Sequence, residues 1–229
     1  MGEEAPGPCA QVLPGKGSIV PCELLHQSHK ASDRGLRARF ESHVCMRSPL
    51  RKKVIALIRR EFEERYPRFA LLDSSGPLIK IWGWKVAPEL TLFAALQIFR
   101  ESADEFAAEI AWSENHEFPW HEFGMMVVEK PRGRVRLGNL WEPGGGVSWD
   151  LAPEVKASRR ARVEMLRRGD VDAYRAEDPI PPIEVAMLRI APAVEDCLAK
   201  FEQYALPFFN AVAAHRGVTD IQWRNPNEV

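Results

Sequence analysis

The chain has 229 residues, 45% of them hydrophobic and 28% charged, with 31 Lys and Arg against 32 Asp and Glu. That balance excludes a protein whose whole surface is a polyanion trap, and no run reaches the roughly 18 apolar residues a membrane helix needs. Four cysteines, Cys9, Cys22, Cys45 and Cys197, follow no metal or disulfide spacing, and no secretory signal opens the chain, so a reducing, cytoplasmic compartment is expected.

Residues 1–45 hold five of the 15 glycines and four of the 18 prolines, but one aromatic residue, Phe40. Such a stretch cannot bury enough apolar surface to offset its ordering entropy. It is expected to be a disordered tail or sequence upstream of a true start at Met46. A regulatory or targeting arm is the other reading, with five basic residues matched by five acidic ones. The fold is expected in 46–229, as a single domain.

Leu50, Val54, Ile55, Leu57, Ile58, Phe62 and Tyr66 recur at helical spacing between charged residues, and Pro67 follows, so an amphipathic helix is predicted over 50–66. The period then changes. Phe69–Leu72, Leu78–Val86, Leu90–Phe99, Glu105–Trp112 and Arg134–Leu140 are rich in β-branched and aromatic residues. The first four are separated by a few turn-forming residues, too few for a parallel crossover, so these strands must pair antiparallel. Arg134-Val135-Arg136-Leu137 alternates cleanly, as an edge or half-exposed strand does. Trp141–Pro153, with Gly144-Gly145-Gly146, is predicted to be a loop, 154–168 a charged helix, and 178–182 an extended proline-rich stretch. A last helix starts near Pro192 and carries the stripe Val194, Leu198, Phe201, Ala205, Phe208 and Val212. Pro207 should kink it, and Gly217 ends it. The fold class is α+β: an antiparallel sheet of about five strands, flanked by an N-terminal helix and C-terminal helices.

The order of these pieces carries a resemblance. The strand Leu92-Phe93-Ala94-Ala95-Leu96-Gln97-Ile98, the Arg-rich strand Arg134-Val135-Arg136-Leu137-Gly138, the loop ending Trp149-Asp150-Leu151 and the late Leu206-Pro207-Phe208-Phe209 together resemble the uncharacterised bacterial domain-of-unknown-function 4304 family over roughly residues 50–215. The resemblance implies an α+β fold and supplies no activity and no catalytic residues. The basic insertion at 154–168 and the long stretch 113–133 depart from it.

Three features can carry chemistry. Residues 114–124 repeat His-Glu-Phe, and His116, His121, Glu117 and Glu122 are a candidate metal or acid–base set. The helical zinc pattern is ruled out, because the histidines are five residues apart with Pro119 between them. The other reading is a polar loop pinned by Phe118, Trp120 and Phe123. Trp82 and Trp84 share one strand face, which is a binding surface if uncovered and core if covered. Arg159, Arg160 and Arg162 on the basic helix can meet an acidic partner or phosphates, or be neutralised by Glu177, Asp178 and Glu184. The triple glycine lacks the context of a phosphate loop, no serine nucleophile elbow exists, and no cofactor is indicated.

The leading expectation is a non-enzymatic, cytoplasmic protein-binding module of toxin-neutralising or accessory type, working through Trp82, Trp84, Arg159, Arg160 and Arg162. The alternative is a metal-assisted hydrolase acting on a phosphoester or nucleotide through the 114–122 loop. Nucleic-acid binding through the basic helix ranks third.

Overall fold

A computed structural model describes residues 46–223, except 73–75, 77, 100–103, 125, 145–146, 171 and 173–176. The expectations for residues 1–45, and for Gly145 and Gly146, lie outside the described residues. The described residues all belong to one compact unit.

Helix α1 (Ser48–Arg65) follows from its sequence: Leu50, Val54, Ile58 and Phe62 recur every fourth residue and all are buried. Pro49 sits in its first turn, where a missing N–H leaves no intrahelical bond unmade. It stops at Tyr66, whose φ of −131° and ψ of 64° are not helical, since the following Pro67 keeps its predecessor out of the helical region.

The sheet comprises β1 (Ala70–Leu72), β2 (Ile79–Ala87), β3 (Leu90–Ile98), β4 (Glu105–Ser113), β5 (Arg132–Arg136) and the two-residue β6 (Trp149–Asp150). Its order is β1-β2-β3-β4-β5, with β6 beside β4, and every neighbouring pair is antiparallel. β5 and β6 share one side of β4: β6 pairs Glu105 and Phe106, and β5 pairs Glu109 to Ser113. The α+β expectation holds. The fifth strand is shorter and earlier than predicted, because the chain leaves the sheet at Leu137 in a 3-10 turn (Leu137–Leu140) that buries Leu137 and Gly138.

After β6 come α2 (Pro153–Arg167), α3 (Ile183–Leu188), α4 (Ile190–Lys200) and α5 (Leu206–Ala214). The six-residue α3 was not anticipated from the sequence. A π-helical turn, Phe201–Ala205, joins α4 to α5, with the Leu206 amide donating to the Phe201 carbonyl five residues back. It ends two residues before Pro207, where the sequence predicted a disturbance of the helix. Proline has no N–H for the carbonyl four residues earlier, and a wider turn reassigns the bonding. No helix among the described residues is long and apolar enough to cross a membrane.

The strand alternation divides the sheet into two unlike faces. On one, Trp82, Leu92, Ala94, Leu96, Phe106, Ile110 and Trp112 join the stripes of α1, α4 and α5 in a single core that also includes Met46. Phe62 is its hub, with ring centroids 5.1 Å from Tyr66, 5.5 Å from Phe69, and 5.2 Å from both Trp82 and Phe201. The opposite face carries a much smaller cluster, Ile81, Phe93, Ala95, Ala111 and Phe118.

Candidate functional site

The face without helices holds the unusual chemistry. Register places Glu109 of β4 between Ala95 and Arg136, and Ala111 between Phe93 and Arg134, so both arginines of β5 share this face with Glu109. The Arg134 guanidinium donates from Nε to Glu109 Oε2 at 2.8 Å, its second nitrogen lies 2.6 Å from the same oxygen, and a third donates to the Trp120 carbonyl at 3.1 Å. Glu109 is 1% exposed and Arg134 7%. Burial pushes the Glu109 carboxyl above its ordinary range, and Arg134 and Arg136 pull the other way without cancelling it.

The loop between β4 and β5 folds back over this pair. Phe118 packs edge-on against Phe93 at 5.6 Å and against Trp120 at 4.8 Å. Three rings surround the Arg134 guanidinium, with Phe118 at 5.1 Å, Phe123 at 5.2 Å and Trp120 at 5.6 Å, an arrangement that cation–π attraction favours. Phe123 forms a parallel bridge with Arg134, and the next amide, Gly124, donates to the Arg134 carbonyl at 2.8 Å. Gly124 has a φ of +84°, which glycine adopts without strain. The rings are therefore tied to the strand rather than hanging from a tether, while Trp120 remains 44% exposed and Phe123 49%. Met126 and Val127 continue the exposed apolar run.

Arg136, one pleat along β5, differs. Its guanidinium lies 4.9 Å from the Phe99 ring and 5.6 Å from Phe123, but its Nε is buried with no acceptor among the described residues. Glu109 Oε1 and Gln97 Oε1 on the adjoining strands are likewise buried and unpaired. One buried carboxylate thus stands beside two guanidiniums.

The candidates named from sequence are dispersed. His116 adopts φ +62°, and its Nδ1 is hydrogen-bonded to the Thr91 hydroxyl at 2.8 Å. Glu117 engages Asn115 through its own amide at 3.2 Å, Glu122 pairs with Arg132 at 2.6 Å, and His121 is exposed. Among the described residues, no three His, Cys, Asp or Glu side chains are placed to hold a metal ion, so the loop does not gather the set that the hydrolase alternative requires. The second reading of this stretch, a loop pinned by Phe118, Trp120 and Phe123, describes its geometry.

Trp82 is 1% exposed beneath α1, so it cannot contribute to a binding surface. Trp84 is half-buried, capped by Trp223 at 5.4 Å, Phe69 at 5.6 Å and the Arg68 guanidinium at 5.5 Å. On α2, Arg159 pairs with Asp178 at 2.8 Å and Arg162 pairs with the other oxygen of the same carboxylate, while Arg160 is exposed. Burial disfavours the charged Asp178, but the two arginines hold its pKa below the usual carboxylate range. Two of the three arginines are thus neutralised within the chain, as the Asp178 reading anticipated.

Sequence reasoning noted Arg134 and Arg136 only as an alternating strand. The overlooked signal was Glu109, a lone carboxylate inside the apolar run Phe106-Ala107-Ala108-Glu109-Ile110-Ala111-Trp112. Compared with protein-family models, curated proteins and solved structures, the chain matches none.

Proposed function

We propose that this chain is a non-enzymatic protein-binding module, of the kind toxin-neutralising and accessory proteins use, and that its binding surface is the exposed Trp120, Phe123, Met126 and Val127 of the loop that covers the sheet face opposite the helical core. The observation that carries this reading is the exposure of Trp120, Phe123, Met126 and Val127 on a loop whose backbone is bonded to β5 and whose rings are held by a buried guanidinium. Aromatic residues, Met and Arg are the types enriched at interface hot spots, and rigid rings lose little entropy when a partner covers them. α2 also exposes Val163, Met165 and Leu166, but positions 163 and 165 lie about 200° apart around a helix, so the three do not form one face.

The test is native mass spectrometry of the full chain purified gently from its host, beside a Trp120→Ala, Phe123→Ala double variant. A stoichiometric protein adduct on the wild type that the variant loses is the expected result. An adduct retained by the variant, or a wild-type chain that carries none, overturns the assignment.

A further inference from the structure

The proposed face has a charge imbalance that specifies what a partner must bring. Of the charged groups facing it from β4 and β5, Glu105 accepts from Ser148 and lies 3.5 Å from Lys156, Glu109 is bonded through Oε2 to Arg134, and Arg132 is paired with Glu122. Arg136 remains, with aromatic contacts but no carboxylate bonded to it among the described residues and a buried Nε that nothing accepts from. A donor left in that state is costly, and native structures rarely keep one without a reason. A guanidinium held against ring faces keeps its N–H groups in their common plane, the arrangement that takes a carboxylate through two parallel bonds.

We infer that the partner of this face is a protein segment carrying an Asp or Glu side chain beside apolar residues, the carboxylate pairing with Arg136 and the apolar residues covering Phe123 and Trp120. This rests on the binding-module reading and adds the chemistry of the partner. Charge complementarity favours it over a purely apolar partner: the site already holds two cations for one anion, and a carboxylate balances the count. A basic or phosphate-bearing occupant fits less well. The former would be repelled by Arg136, and the latter, with about two negative charges, would overshoot the single uncompensated cation.

The experiment selects random twelve-residue peptides displayed on phage against the full chain, then measures Kd for the enriched peptides by fluorescence anisotropy. Expected are sequences with an Asp or Glu next to aromatic or aliphatic residues. Their Kd should rise about tenfold in Arg136→Gln, the loss of one charge-assisted pair, and stay unchanged in Arg60→Gln, at an exposed position on α1. Arg136→Lys, which keeps the charge without the planar fork, should fall between. Replacing the peptide's acid by its amide should weaken binding to the wild type and add nothing in Arg136→Gln, a cycle that holds even where the protein variant loses some stability. Peptides that lose affinity in the Trp120→Ala, Phe123→Ala variant but show no acidic preference and ignore Arg136→Gln would overturn this inference and leave the binding face standing. Peptides indifferent to Trp120 and Phe123 would overturn both.

Discussion

Arg134 and Glu109 are packed where a charge survives only in company. Their mutual attraction offsets desolvation only while both are present, so removing one partner costs far more than the pair contributes. Arg134→Met is expected to lose about 3–5 kcal/mol at neutral pH, whereas Glu109→Leu with Arg134→Met should recover most of that loss. Urea denaturation of the three proteins checks it. The pH dependence follows from the raised Glu109 pKa. A folded-state pKa above the ordinary 4.5 means that the native chain takes up a proton more readily than the unfolded one. Its contribution is fully present below pH 4.5 and is lost as the pH rises through the folded value. Without Arg134 that value climbs further, so the deficit of Arg134→Met should be smallest near pH 4.5 and widen toward neutrality. A deficit independent of pH would contradict a buried, ionising Glu109.

Among the elements, the sequence was most legible where one period ran uninterrupted. The i, i+4 stripe of α1 and the two-residue spacing of β2 to β4 each reflect local geometry, and both were readable without the fold. Which face of β2 the helices cover is a long-range fact, and on it depended whether Trp82 and Trp84 were core or surface. The pairing of β5 with β4 spans the whole 114–131 connection, so the meeting of Glu109 with Arg134 had no local signature. The α4–α5 rod shows the same limit, since Pro207 announced a disturbance but not its form. A π turn accommodates about one residue more than the α-helical turn it replaces, and the buried residues on both sides, Val194 and Leu198 before it and Phe209 and Val212 after it, keep facing the core. Deleting exposed Gln203 should therefore turn this segment into ordinary α-helix and preserve both stripes, with little change in Tm. Deleting Asn210 in α5 should rotate everything after it out of register and unfold the chain. Thermal melts of the two deletions followed by circular dichroism distinguish these outcomes, and equal destabilisation would show that the π turn carries more than register.

Among the described residues the packing is lopsided, with nearly all of the aromatic contacts on one side of the sheet. Stability and recognition should therefore separate cleanly by face. Phe62→Ala, at the hub of the helical side, is expected to cost about 3–5 kcal/mol. Trp120→Ala on the other side should stay within about 0.5 kcal/mol of the wild type. Chemical denaturation gives both numbers, and a large loss at Trp120 would mean that the loop is part of the core rather than a surface resting on it. The same asymmetry explains why composition alone said little about function: the aromatic residues are one population in the sequence and, among the described residues, two in space.

The two edges of the sheet complete this picture. At one edge β1 spans three residues, and β2 beyond it breaks register between Lys85 and Ala87. At the other, Phe123 and Gly124 lie along β5 and take up its Arg134 carbonyl. Short, bulged or occupied borders make poor templates for an incoming strand. A partner of the proposed surface is thus expected to be read through side chains rather than by strand addition to the described sheet. Such recognition would depend on the partner's residues, where main-chain zippering would be indifferent to them.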